Sequence, residues 1–336
     1  MRLNRAKGPS RAWLLGGVLW AAMALPAVAQ ELTFFEGATN SIDAPLVLNE
    51  KTYAWKVEYR QGLGELFEFS YSWLNEGHVT AHHRDGSSLQ LWARETVLDR
   101  RLSLALGAGA FRYYDTARKS DGFDDVHGFA ALFSADAAVY PGKRWLLRAE
   151  VNRTLASSKS FDTWDFLVGV GYQLTPPEET GPRPWPDTQV RSVTENEITL
   201  FAGWTVVNSL DSPNSVAASL EYRRSLSRFF DVVASLLYEG DSRLVHRGGF
   251  IVQGSFGRGF LGDRVGLSVG VGLYVAVDKR RNTASGGSDE TLAGMVTPSV
   301  SYRFAEHWHA RFSWNRAVTT YDRDTEVRQI GLGYRF

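Results

Sequence analysis

The last thirteen residues, Asp324 to Phe336, read DTEVRQIGLGYRF. Ile330, Leu332, Tyr334 and Phe336 are apolar or aromatic, while Gln329, Gly331, Gly333 and Arg335 between them are small or polar. A period of two places one set on each side of an extended chain, so this is a strand with one greasy face and one polar face. The pattern recurs in DFLVGVGYQL, where Phe166, Val168, Val170, Tyr172 and Leu174 alternate with polar or small residues.

A strand of this kind ending on an aromatic resembles the C-terminal signature of Gram-negative outer-membrane β-barrel proteins. The resemblance implies an all-β, antiparallel up-and-down barrel that crosses the outer membrane among its lipids. It also implies that the barrel-assembly machinery reads the C-terminal strand.

Composition agrees. Mean hydropathy is only −0.23, but a membrane barrel alternates lipid-facing and lumen-facing side chains and so has a low average. Glycine (32 residues), tryptophan (11) and aromatics in general (13%) are plentiful. The absence of cysteine removes disulfides, thiolate catalysis and thiolate metal sites from consideration.

Residues 1–29 have a basic start, an apolar run from Ala12 to Leu25, and the small-residue site Ala27-Val28-Ala29. This is the pattern of a secretory signal peptide cleaved before Gln30. Removing Arg2, Arg5, Lys7 and Arg11 changes a balance of 37 cations against 37 carboxylates to 33 against 37. A slightly acidic exported chain does not suggest a nucleic-acid partner.

The chain matches itself at an offset of 163. Glu58-Tyr59-Arg60 repeats as Glu221-Tyr222-Arg223, Glu76-Gly77 as Glu239-Gly240, Arg148 as Arg311, and Asn152-Arg153 as Asn315-Arg316. One offset held across so many turns marks a tandem duplication. Residues 30–174 form a first eight-strand repeat and residues 197–336 a second. The segment 175–196, with five prolines, is a periplasmic connector that cannot join a strand ladder. The free C-terminus of the second copy favours one barrel of sixteen strands, and two barrels of eight strands are the alternative. Short turns such as 61–64 and 140–143 face the periplasm in this class, and polar loops such as 75–86, 115–125 and 278–289 face outward.

On the predicted outer face, Tyr53, Trp55, Tyr59, Phe67, Phe69, Tyr71, Trp73, Phe312 and Trp314 suit aromatic girdles at the membrane interfaces. Charges on the same strands are costly in lipid and must face a lumen. Glu58, Arg60, Arg148 and Asn152, with their repeats Glu221, Arg223, Arg311 and Asn315, are the lumen residues so predicted.

Chemistry concentrates in the first copy's predicted outer loops. Glu76, His83 and Asp85 offer an acid–base set. Around them stand His78, His82, Arg84, Asp115 and His127, which could grip a saccharide or lipid ligand. In the second copy His78, His82 and Asp85 become Asp241, Val245 and Gly248, so any such site belongs to the first. No metal site is indicated, because helical spacing of His78 and His82 has no meaning in a loop, and no cofactor is implied.

Three functions follow. A sixteen-strand barrel suits a porin-like or export channel for a solute or polymer. The rim cluster suits a surface enzyme modifying a lipid of the lipid A kind or a saccharide. A structural envelope barrel without transport is the third.

Overall fold

The computed structural model describes residues 30–42, 51–79, 81–120, 122–156, 160–175, 177–182, 196–209, 211–227, 229–282 and 287–336. The leader and most of the connector lie outside the described residues. Eight strands come from the first copy: β1 (Gln30–Ile42), β2 (Lys51–Gly62), β3 (Phe67–Val79), β4 (His82–Val97), β5 (Leu102–Lys119), β6 (Gly122–Val139), β7 (Trp145–Leu155) and β8 (Asp162–Gln173). The second copy supplies β9 (Asn196–Val207), β10 (Asn214–Ser225), β11 (Phe230–Asp241), β12 (His246–Phe260), β13 (Val265–Asn282), β14 (Gly287–Arg303), β15 (Trp308–Val318) and β16 (Thr325–Arg335).

Alternation determines every wall. On β5, Leu104 and Leu106 are exposed on the outside while Ser103 and Ala105 are buried inside; on β8, Phe166, Val168 and Val170 face out and Asp165 and Leu167 face in. The exterior is apolar and the interior polar, the reverse of a water-soluble protein.

The sixteen-strand barrel expected from the sequence is not what forms. β1 pairs with β8, from Glu31↔Gln173 to Ile42↔Asp162, and β16 pairs with β9, from Thr325↔Val207 to Arg335↔Glu197. Each copy therefore closes as its own barrel of eight antiparallel strands. Closure within a copy leaves no open edge whose unpaired amides would meet lipid. It also keeps inner charges beside their partners, as Arg148 on β7 meets Glu31 on β1 at 2.7 Å.

Two of the expected long loops are mostly strand. β3 and β4 continue to Val79 and His82, and β5 and β6 to Lys119 and Gly122, so the candidate residues of 75–86 and 115–125 stand on a rigid hairpin rim. Backbone pairing does not stop where the apolar belt stops, because extended polar segments still gain by bonding to each other.

The two barrels also touch side by side. Trp314 of β15 stacks against Trp55 of β2 (6.1 Å between rings) and meets Trp73 of β3 (4.9 Å). Arg316 reaches Asp85 of β4 at 3.6 Å and lies over Tyr114 of β5. His127 of β6 bonds Asp324 at 2.7 Å, and Tyr59 meets Phe260 near the short turns. Trp55, Trp73 and Trp314 thus belong to this seam and not to a lipid-facing girdle, and Trp73 is only 4% exposed.

Candidate functional site

The lumens are filled in layers, and the layers repeat. Nearest the short turns of the first barrel, Arg60 bonds Glu58 (2.8 Å) and Asp136 (3.0 Å), Lys56 bonds Glu58 (2.8 Å), and Arg148 bonds Glu31 and Glu58. In the second barrel Arg223 pairs with Glu221 and Asp231, and Arg311 with Glu197. Midway lies a neutral rung: the Gln90 amide donates to Ser134 (2.8 Å), which donates to Asn152, and Gln253, Thr297 and Asn315 repeat that chain. All eight lumen residues predicted from sequence point inward and are buried.

The layer nearest the long hairpins is built on a β-bulge. Asn75 pairs with Asp85 and His78 with His83, so Glu76 and Gly77 together oppose Arg84. Gly77 adopts φ +66°, and a Cβ there would sit 2.3 Å from the Tyr53 carbonyl oxygen; only glycine accepts both constraints. Glu76 continues the inner row of Ser70, Ser72 and Leu74 into the lumen, and the extra residue turns His78 to the outer face. Its carboxylate takes Arg84 Nε and Nη2 (2.9 Å) and the Thr163 hydroxyl (2.5 Å). The second barrel repeats the device: Gly240 at φ +83°, Glu239 on Arg247 (2.6 and 2.9 Å), and the Thr325 hydroxyl on Glu239 (2.6 Å).

Alternation along β4 to β6, with the bulge on β3, sorts the rim residues onto two sides of the wall. Glu76, His82, Arg84 and Asp115 face the lumen, whereas His78, His83, Asp85 and His127 face outward. The proposed acid–base set is therefore split: Glu76 is fully buried with Arg84 inside, and His83 and Asp85 lie on the other surface. Outside, His83 stacks on His78 (4.3 Å) and lies 3.2 Å from the Asn75 amide, and Asp85 and His127 serve the seam.

Inside, a different grouping assembles. His82 Nδ1 stands 3.0 Å from both oxygens of Asp115, which is itself buried, and the imidazole remains 23% exposed. Ser160 donates to Asp115 (2.9 Å) and accepts from Arg84 Nη1 (3.0 Å), and the ring of Phe161 meets His82 edge-on (5.3 Å). A carboxylate on Nδ1 orients the imidazole and leaves Nε2 as its other polar atom. This pair can accept a proton or a hydrogen bond from a ligand at the rim. Ser160, engaged by Arg84 and Asp115, is a support for the pair.

The sequence reading missed Ser160, Thr163, Arg316 and Asp324. Thr163 and Thr325 repeat at an offset of 162, as do Asp162 and Asp324, one residue from the offset of 163; allowing that slip finds Thr163 and Asp324, whereas Ser160 and Arg316 carry no such signal.

A closed antiparallel barrel with an apolar belt outside and buried charge inside defines the class of membrane-spanning β-barrels, and this chain carries two. Among solved structures it is similar to the N-terminal β-barrel domain of Pseudomonas aeruginosa OprF, at 16% identity and a TM-score of 0.36 over 44% of this chain and 98% of that one. It is similar also to the Yersinia pestis outer membrane protein Ail, at 12% identity and 0.30 over 43% and 99%. A mutant of the Rh. blastica porin aligns with 92% of this chain and all of its own at 10% identity and a TM-score of 0.20. These are Gram-negative outer-membrane barrels. No protein-family model matches the chain, and no curated protein matches it.

Proposed function

We propose that the protein is an outer-membrane envelope protein that acts at its exposed rim and not through its lumens. The observation that carries this reading is the repeated layering. Both interiors are occupied by buried ion pairs and hydrogen-bonded side chains, capped by Glu76–Arg84 and Glu239–Arg247. An eight-strand barrel has room for side chains and little else, so the porin-like or export role that a sixteen-strand barrel would support loses its basis. In this reading the leader is cleaved, the short turns face the periplasm, the assembly machinery reads β16, and the long hairpins meet the outside. The test is conductance of the purified full chain in planar bilayers. The expected result is no stepwise current; porin-sized steps would refute the reading.

At the rim the reading assigns a ligand with hydroxyl or oxyanion groups, a saccharide or a lipid headgroup, to His82 and Asp115. Asp115 on Nδ1 also favours a second reading, a surface enzyme in which His82 Nε2 is the general base. Mass analysis of lipid A from cells making wild type or His82→Ala separates the two. An altered lipid A pattern that depends on His82 supports the enzyme, and identical patterns leave binding alone.

A further inference from the structure

At the short-turn end the two barrels are filled differently. In the first, Trp92 and Arg94 fill the mouth: Arg60 lies 3.7 Å over the Trp92 ring, and Arg94 pairs with Glu68. Asp136 and Glu150 complete the carboxylates around Arg60 and Arg148. At the offset of 163 the second barrel has Ser255, Gly257, Ser299 and Ser313 in these four places. Two large side chains and two carboxylates are gone, and so is Lys56, which becomes Ser219; Arg60 and Arg148 remain as Arg223 and Arg311. A cleft opens there, lined by Arg223, Arg303, Arg311 and Arg335 with Glu197, Asp231 and Asp263 among its acidic residues.

The remaining carboxylates are shared among too many donors. Arg148 has Glu31, Glu58 and Asp136 within 4 Å. Its counterpart Arg311 bonds Glu197, which also takes Arg335 at 2.6 Å and lies 3.7 Å from His309. Arg311 Nε is buried with no hydrogen-bond partner, as Arg148 Nε is in the closed mouth of the first barrel, and His309 Nδ1 beside it also lacks one. Arg311 is 5% exposed and lines the cleft. A buried guanidinium N–H without an acceptor is costly, and beside an open polar cleft it can be satisfied from outside by an oxyanion, the partner whose geometry guanidinium groups match.

We propose that the mouth of the second barrel binds a small oxyanion of the phosphate or carboxylate class, gripped by Arg311 and Arg335 with Arg223 behind them. The ligand enters from water: exposed Phe304, Trp308 and Phe336 stand outside this mouth, between it and lipid.

The test is titration calorimetry of the full chain in an uncharged detergent with inorganic phosphate as the probe. One saturable site is expected. Ser299→Asp returns the carboxylate that the first barrel has at Asp136, and should weaken binding about tenfold or more, while Ser299→Asn, similar in size and uncharged, should stay within about threefold of wild type. Heat-dependent gel mobility checks that each variant folds. Should Ser299→Asp fail to fold, Arg335→Gln against Arg335→Lys carries the same comparison: loss in the first and retention in the second support the site, and equal affinities overturn it. No saturable heat with wild type, or equal affinity in Ser299→Asp and wild type, likewise overturns it.

Discussion

Replacing Glu76 by Ala is expected to destabilise the first barrel, whatever it does to activity. The Glu76 carboxylate is fully buried and accepts two N–H groups of Arg84 and the Thr163 hydroxyl. Removing it strands a guanidinium that is also fully buried. Breaking a buried ion pair by deleting one partner costs about 3–5 kcal/mol. Here the lower end applies, about 3 kcal/mol, because Arg84 keeps the Ser160 hydroxyl and the Phe161 carbonyl as acceptors. Replacing both partners by Met removes the stranded charge as well, so Glu76→Met with Arg84→Met should recover most of the loss. Urea unfolding of the refolded chain, followed by heat-dependent gel mobility, measures both. A Glu76→Ala protein within about 1 kcal/mol of wild type, or a double variant worse than the single one, would refute the reasoning. The sequence alone places Glu76 in a solvated loop, where its removal would leave folding intact; in the structure, lost activity in this variant says nothing of catalysis.

Residues 30–176 alone should fold to a protease-resistant, heat-modifiable barrel in detergent, since β1 closes on β8; an unstructured fragment would show that closure depends on the second copy. Gly77→Ala and Gly240→Ala should each cost about 1–3 kcal/mol, because both glycines have positive φ and a Cβ would meet a carbonyl oxygen at 2.3 Å; urea midpoints equal to wild type would contradict the bulge argument. Arg316→Ala leaves Asp85 and Glu326 without the cation that lies 3.6 and 2.8 Å from them, so spin labels on the two barrels should report a broader distance distribution, and an unchanged one would show that the tryptophan contacts suffice.

Much of the fold can be read from local pattern. Alternation in Leu104–Ala105–Leu106 or Phe166–Leu167–Val168 gives the strand and its faces, and the offset of 163 gives the duplication. Closure cannot be read so locally, because the bond between β1 and β8 joins residues far apart in sequence. One distant signal was present. Glu31, Thr33, Phe35, Gly37 and Thr39 of β1 repeat as Glu197, Thr199, Phe201, Gly203 and Thr205 at an offset of 166. Each copy thus has its own first strand, carrying the carboxylate that its own Arg148 or Arg311 requires. The candidate site is legible in residue types and, once the strands are carried through it, in sides. Period two along β3 and β4 already puts Glu76, Arg84 and His82 on one face and His83 and Asp85 on the other, a split hidden by treating 75–86 as a loop; only the side of His78 depends on the bulge at Gly77. A pattern of period two carries its error to every residue beyond such an insertion.

The seam joins unlike faces of like units: β2 to β6 of one copy meet β15, the turn after it and Phe260 of β12 of the next. Contacts of this head-to-tail kind do not close on themselves, and identical units would polymerise through them without limit. Divergence has disabled both free ends. Where the first copy offers Trp73, Asp85 and Tyr114, the second offers Leu236, Gly248 and Val277. Where the second offers Trp314 and Arg316, the first has Val151 and an Arg153 already bonded to Asp162 at 2.7 Å. The growth of the array is terminated at two, and a fibre-forming variant would need changes at both ends together.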